Sequence, residues 1–313
     1  MTALILFAGF GLLLLGGEFL VRGSVAIALK LRISKFIIGL TLVAFATSAP
    51  ELIVSIIAAM KGKSAIALGN VIGSNVANIG LILGLTALLY KIEAVRLTYR
   101  NDWLFLLGAN GLLGVFLYFG GISFLQGLIL VAALVVYNTL KIRSARKERA
   151  AASIGQDFDV PAMPVWQGAV LLIIGAVGLK FGAQLFVSGI STLAAQWGWS
   201  ERLVAVSLVA FGTSVPELAA SLMAARKGEA DIAIGNVIGS NIFNILSVLG
   251  FTALIQPITL SDEDLLWIDF PISFLFTLLL IPLMGIIKSD RLDRYEGAIL
   301  LSLYLFFMIY LFS

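Results

Sequence analysis

Ten runs of apolar residues, each long enough to cross a bilayer, divide this 313-residue chain. They fall at about 3–21, 33–60, 65–89, 103–119, 122–140, 166–189, 202–225, 231–255, 267–287 and 295–312. A helix of about 20 apolar residues spans the hydrocarbon core. Inside that core every backbone polar group must find its partner within the protein, which leaves helices or a closed barrel. Runs of this length and continuity predict helices. Only 12% of the residues are charged, against about 25% in a soluble domain, so the chain lacks the polar surface to cover itself in water. The first run has no basic residue before it and no small-residue cleavage site after it, which predicts a retained helix and not a signal peptide.

What is missing narrows the chemistry. The chain has no cysteine and no histidine, which excludes disulfides, thiol nucleophiles, Ser-His catalysis, the usual zinc sites and imidazole proton relays. The net charge of +3 matters less than its distribution. With the N-terminus placed outside, the basic residues crowd into loops on one side. These are Arg22, Lys30, Arg32 and Lys35; Lys91, Arg96 and Arg100; Lys141, Arg143, Arg146, Lys147 and Arg149; Arg226 and Lys227; and Lys288, Arg291 and Arg294. Only Lys61, Lys63 and Arg202 fall on the other side, and Lys180 lies within a span. Cytoplasmic loops are enriched in Lys and Arg, so both termini are expected to be extracytoplasmic in the cell (inner) membrane.

The chain repeats itself. Shifted by 166 residues, Gly39–Leu88 falls on Ala205–Leu254 with roughly half the positions identical. Thr-Ser-Ala-Pro-Glu-Leu at 47–52 lands on Thr-Ser-Val-Pro-Glu-Leu at 213–218, and Gly-Asn-Val-Ile-Gly-Ser-Asn at 69–75 recurs unchanged at 235–241. Past residue 90 the match decays. The organisation read from this is a first half at 1–140, a hydrophilic cytoplasmic linker at 141–164 and a second half at 165–313. Each half holds five spans, an odd number, so the halves cross the membrane in opposite directions. The predicted fold is therefore all-α and integral to the membrane, ten transmembrane helices as two inverted-topology five-helix repeats. Broken helices at the midplane belong to the same prediction, as in secondary transporters whose site lies there.

Glu51 and Glu217 are equivalent in the two halves, and each lies deep in an apolar run. A charge at that depth costs about 3 kcal/mol on insertion scales, so something must neutralise each carboxylate. Each follows a proline, Pro50 or Pro216, which removes one helix hydrogen bond and frees a carbonyl near Ala46 or Gly212. Helical spacing gathers Thr47, Ser48 and Ser55 on the face of Glu51, and Thr213, Ser214 and Ser221 on that of Glu217. Asn70, Ser74 and Asn78 recur every four residues in the next run, mirrored by Asn236, Ser240 and Asn244. The glycines at 69, 73, 235 and 239 would let these backbones approach closely or unwind. Carboxylates, hydroxyls, amides and freed carbonyls make an all-oxygen cage of formal charge −2, which suits hard cations such as Ca²⁺ or Na⁺. One Ca²⁺ or two or more Na⁺ would neutralise it equally, the basis for exchange. An ion channel and an intramembrane hydrolase with an acid pair are the rival classes; inverted symmetry argues against both, and the lack of histidine against the second.

The remaining charges read as structural. Glu18 and Arg22, four apart, are expected to pair near a helix end. Asp102 and Asp269 each open a helix, where the dipole favours an acid. Lys180 can snorkel to an interface.

On these motifs the sequence resembles the calcium/cation antiporter superfamily, and within it the prokaryotic sodium/calcium exchangers. The resemblance rests on TSAPEL with GNVIGSN at 47–75 and TSVPEL with GNVIGSN at 213–241. It covers essentially the whole chain. It implies a transporter and not an enzyme, with electrogenic exchange of several Na⁺ for one Ca²⁺ by alternating access. It implies no cofactor, no nucleic acid and no obligate protein partner; the ions and the lipid bilayer are what the chain meets. A Ca²⁺/H⁺ or other cation exchanger of the same superfamily is the alternative. The ligands it implies are Glu51, Glu217, Thr47, Ser48, Thr213, Ser214, Ser74, Ser240 and Asn78, with the backbone carbonyls of Ala44 and Ala210. Asn244 stands where some members carry aspartate, so the site has one titratable group fewer and potassium co-transport is disfavoured. Spans one and six form a pair thought to slide in such proteins, and Gly16, Gly17, Gly182 and Gly189 would suit that motion.

Overall fold

The computed structural model of the chain describes residues 2–93, 96–152, 163–196, 201–283 and 291–312. The helices in chain order are α1 (Thr2–Leu31), α2 (Lys35–Thr47), α3 (Ala49–Met60), α4 (Ser64–Leu89), α5 (Arg96–Tyr118), α6 (Phe124–Ala152), α7 (Val165–Gln196), α8 (Glu201–Arg226), α9 (Ala230–Ile255), α10 (Phe270–Leu283) and α11 (Arg294–Phe312). Among the described residues, six helices are long and apolar enough to cross a membrane, and the interrupted pair α2 and α3 adds a seventh. Large apolar side chains such as Leu4, Phe7, Ile173 and Phe306 stand exposed on the helices, as hydrocarbon requires and water would not tolerate.

The chain divides into two compact units, Met1–Thr47 with Thr139–Asn236, and Ser48–Asn138 with Val237–Ser313. Each unit draws segments from both sequence halves.

In the first unit α1 and α7 lie against each other along their length. Gly9, Gly16 and Gly23 recur every seven residues on α1, and Gly168, Gly175, Gly182 and Gly189 do so on α7. The helices run antiparallel, with Gly9 beside Gly182, Gly16 beside Gly175 and Gly23 beside Gly168. A Cβ added at Gly16 would sit 2.7 Å from the Leu179 nitrogen, and one at Gly175 2.5 Å from that of Leu20. Backbone therefore rests on backbone, the arrangement that small residues allow between membrane helices. Leu13, Leu20 and Val21 close the inner side against Leu179, Val215 and Met223. Glu18 pairs with Lys227, N to O 2.5 Å, and not with Arg22 as its spacing suggested. The partner lies 209 residues away in sequence, beyond the reach of any helical rule.

In the second unit α4 and α9 each contain a π turn, Asn78–Leu83 and Asn244–Leu249. Such i→i+5 turns re-aim the side chains of a helix and cluster at functional positions. α11 rests on the second half of α4, where a Cβ on Gly297 would come within 2.7 Å of the Gly84 oxygen. Two antiparallel strand pairs tie the helix ends. Ile92–Glu93 joins Arg291–Leu292, and Gly121–Ile122 joins Ile258–Thr259.

Several boundaries differ from the sequence reading. α6 does not stop at residue 140. It carries Lys141, Arg143, Arg146, Lys147 and Arg149 as three further turns to Ala152, because Lys, Arg and Ala favour helix and neither Gly nor Pro interrupts them. The remainder of the supposed linker at 153–162, and the end of the ninth span with Lys288 at 284–290, lie outside the described residues. The interruption expected at both prolines occurs at one. The helix breaks at Ser48 (φ −83°, ψ 2°), so that Pro50 falls in the first turn of α3, where a missing N–H costs nothing. α8 continues through Pro216 without a break. Asp269 does not open a helix, since it ends the π turn Leu265–Asp269 that runs directly into α10, and neither does Asp102. It sits in the second turn of α5, 2% exposed, and accepts a 3.0 Å hydrogen bond from the Tyr137 hydroxyl. Lys180 is exposed, its ammonium 5.9 Å from the centre of the Phe181 ring.

The α1–α7 contact predicts that Gly16→Leu and Gly175→Val each cost about 1–3 kcal/mol of stability through overpacking. Gly11→Ala, where a Cβ meets nothing within 4 Å, is expected to be neutral. Thermal unfolding of the detergent-solubilised variants followed by size exclusion checks this; equal melting behaviour in all three would refute backbone-on-backbone packing.

Candidate functional site

Glu51 lies in the first turn of α3 and is fully buried, 0% exposed. Ser48, at the helix break, and Ser55, one turn on, are buried beside it in sequence. Asn70 of α4 reaches across to this turn. Its Nδ2 donates to the Glu51 carbonyl at 3.3 Å and to Ser55 Oγ at 3.0 Å. The side-chain amide thereby ties the first turn of α3 to α4 through the Glu51 carbonyl and the Ser55 hydroxyl.

The same construction recurs 166 residues later in the first unit. Glu217 in α8 is 1% exposed. Asn236 of α9 donates from Nδ2 to the Glu217 carbonyl at 3.4 Å and to Ser221 Oγ at 3.0 Å. Two proteins' worth of unrelated packing would not give one pattern of partners and distances twice. Thr47, the last residue of α2, lies 3.2 Å from Asn236 Oδ1, 3.2 Å from the Val43 carbonyl and 3.3 Å from that of Ala44, all within reach of its one hydroxyl proton. The Ala44 oxygen thus already faces a donor. Thr213 and Ser214 are buried in α8, and Ser214 Oγ has no hydrogen-bond partner among the described residues. Ala210 belongs to α8 as well.

Ser74, Asn78, Ser240 and Asn244 are buried in the second unit, on α4 and α9. Asn78 and Asn244 each begin a π turn. Their amide nitrogens are occupied: Asn78 Nδ2 donates to Asn241 Oδ1 at 2.9 Å, and Asn244 Nδ2 to Asn75 Oδ1 at 3.0 Å. Their oxygens are not. Asn78 Oδ1, Asn244 Oδ1 and Ser74 Oγ are buried without a hydrogen-bond partner among the described residues. An unmet buried acceptor costs about 1–3 kcal/mol, so oxygens left this way on two equivalent turns call for a ligand.

Sequence reasoning placed Asn75 and Asn241 inside a motif without assigning them a part. The signal that could have found them is their spacing of three from Asn78 and Asn244, on the same helix face. The close approach read from the motif glycines holds at Gly235. A Cβ on Gly235 would come within 2.6 Å of the Phe36 oxygen, while Gly69 and Gly73 face no close backbone. No group of three or more His, Cys, Asp or Glu side chains placed to hold a metal ion occurs among the described residues. The donor set is hydroxyl, amide and carboxylate oxygen, which favours hard cations over softer metals.

A family model described as sodium/calcium exchanger protein matches residues 1–143 and 167–313. The chain is 37% identical over 309 residues to the putative antiporter CaxA of Alkalimonas amylolytica, covering 97% of each protein. It is 32% identical to the sodium/calcium exchanger MaX1 of Methanosarcina acetivorans, covering 99% of this chain and 98% of that protein. Among solved structures it is similar to the sodium-calcium exchanger NCX_Mj, with a TM-score of 0.81 at 31% identity over 98% of this chain and 97% of that one. A largely helical, multi-pass membrane protein matched along both halves in this way belongs to the sodium/calcium exchanger family of antiporters.

Proposed function

We propose that this antiporter moves Ca²⁺ against Na⁺ by alternating access, and that Glu51 and Glu217 are the carboxylates both ions use in turn. The observation that carries this is the repeated pair of buried glutamates, each with its carbonyl and a serine one turn on held by the same asparagine nitrogen. A carboxylate in hydrocarbon resists crossing uncompensated. One Ca²⁺ or at least two Na⁺ cancels a formal charge of −2, so the loaded protein can change state and the empty one is held back. Coupling follows from that shared requirement, because a ligand shifts an equilibrium only by its differential affinity for the two states.

The proposed ligands are Glu51, Glu217, Thr47, Ser48, Thr213, Ser214, Ser74, Ser240, Asn78 and Asn244, with the carbonyls of Ala44 and Ala210. Supporting this are the burial of these side chains and the unmet oxygens of Ser74, Asn78, Ser214 and Asn244. Asn244 contributes a neutral oxygen, which supports a site with two carboxylates. The proposed architecture is ten crossings in two inverted halves, α2 and α3 counted as one span, with both termini outside the cell membrane. In its favour, Ile92 and Ile258 stand 166 residues apart, and each begins a strand that pairs with the other half.

Purified protein reconstituted into sodium-loaded liposomes and diluted into sodium-free ⁴⁵Ca²⁺ tests the exchange. Uphill calcium uptake that collapses with a sodium ionophore is the expected result. Uptake that follows only an imposed proton gradient would make the protein a Ca²⁺/H⁺ exchanger, and flux without coupling would make it a channel. In the same assay Glu51→Gln and Glu217→Gln are each expected to lower apparent calcium affinity about tenfold to a hundredfold, as loss of a charge-assisted contact implies. Both variants are expected to insert and elute as folded protein.

The absence of native cysteine makes sidedness direct to measure. A cysteine placed by Lys61→Cys is expected to react with a membrane-impermeant maleimide on intact cells, and one placed by Arg226→Cys only after permeabilisation. The reverse pattern would overturn the orientation.

A further inference from the structure

The four asparagines Asn75, Asn78, Asn241 and Asn244 form a closed amide relay in the second unit. Asn75 Nδ2 donates to the Asn241 backbone carbonyl and Asn241 Nδ2 to that of Asn75, both at 3.5 Å. Asn75 Oδ1 then accepts from Asn244 Nδ2, and Asn241 Oδ1 from Asn78 Nδ2. All four side chains are buried.

The direction of this relay is fixed by its anchors. A backbone carbonyl only accepts, so it selects the nitrogen of Asn75 or Asn241 and turns the oxygen the other way. That oxygen in turn selects the nitrogen of Asn244 or Asn78. Rotating the Asn244 amide by half a turn would set Oδ1 against Asn75 Oδ1 at 3.0 Å, two acceptors face to face. Rotating Asn75 as well would only move the clash to the Asn241 carbonyl. The one arrangement without a clash leaves Oδ1 of Asn78 and Asn244 pointing out of the relay, buried and unmet among the described residues.

We infer that Asn75 and Asn241 are positioning residues. They hold Asn78 and Asn244 so that each presents its carbonyl oxygen, never its amide nitrogen, to a hard cation. The inference rests on the proposal that Asn78 and Asn244 are cation ligands, and it assigns the preorganisation of those ligands to two residues that touch no ion. An amide free to rotate would spend part of its time offering the positive end of its dipole to the cation; one tied through nitrogen cannot. The residue type follows. A short side chain must accept at one end and donate at the other in fixed geometry, and of the small polar residues only asparagine does both.

A double-mutant cycle in the sodium-driven ⁴⁵Ca²⁺ uptake assay tests it. Asn75→Ala is expected to raise the calcium KM about tenfold with kcat within about twofold, the scale of a lost neutral ligand. The double variant Asn75→Ala/Asn244→Ala is expected to match Asn244→Ala alone, because Asn75 acts through Asn244. Asn241→Ala with Asn78→Ala should behave the same way. Asn75→Asp keeps an acceptor for Asn244 Nδ2, though it loses the donor to the Asn241 carbonyl and adds a charge; the affinity it gains over Asn75→Ala through Asn244 is expected to vanish in Asn75→Asp/Asn244→Ala. Multiplying effects in both cycles, or an unchanged KM in Asn75→Ala and Asn241→Ala, would overturn the positioning role while leaving the ligand proposal intact. An unchanged KM in Asn244→Ala and Asn78→Ala would remove the ligand proposal, and the positioning role with it. Should Asn75→Ala not elute as folded protein, Asn75→Leu compared with Asn75→Asp makes the same distinction at nearly constant size. Equal KM in those two would refute it.

Discussion

A polar group inside a bilayer has no water to turn to, and every unusual feature of this chain answers to that constraint. Backbone groups are satisfied by the helices themselves, which is why the described residues between the loops are almost wholly helical. At α3 the Asn70 amide bonds the Glu51 carbonyl and the Ser55 hydroxyl, and at α8 the Asn236 amide does the same for Glu217 and Ser221. The glutamates are thus held on a framework with its own internal hydrogen bonds.

Much of this is legible in the amino-acid order because the constraint acts on residue type. Glutamate in the middle of an apolar run is expensive enough that its presence alone marks a function, and a second one at the same offset marks the repeat. The unread parts are those that depend on geometry between distant segments. Proline at 50 and proline at 216 carry the same local message, yet the helix breaks at Ser48 and continues through Pro216. Proline removes one hydrogen bond, and packing decides whether the chain bends in response. Glu18 has Arg22 one turn away but pairs with Lys227, a residue that spacing along a helix cannot nominate. Asp102 reads as a helix-start acid and is instead buried against Tyr137, because α5 begins six residues earlier, at Arg96. The basic stretch after residue 140 reads as a solvated loop by charge, while its helix-forming composition carries α6 onward.

The glycines show the same division between composition and geometry. A count finds 31 of them, typical of membrane helices and uninformative. Their period is informative. A helix advances about 3.6 residues per turn, so glycine every seventh residue stays on one face with a small drift. Two such faces, on α1 and α7, meet backbone to backbone.

Duplication explains why the asparagine relay closes. One copy of Gly-Asn-Val-Ile-Gly-Ser-Asn supplies a donor and an acceptor that cannot reach each other along a single helix. Two copies placed face to face supply both ends of the backbone anchors, and Asn75 then serves Asn244 while Asn241 serves Asn78, each three residues beyond the opposite heptapeptide. The four distances come in two matched pairs, 2.9 and 3.0 Å for the side-chain bonds and 3.5 Å twice for the backbone anchors. A substitution of Asn75 or Asn241 would break bonds to both copies, which is a physical reason for asparagine to stand at the end of each heptapeptide. Asn75 and Asn241 therefore complete an arrangement that neither copy holds alone.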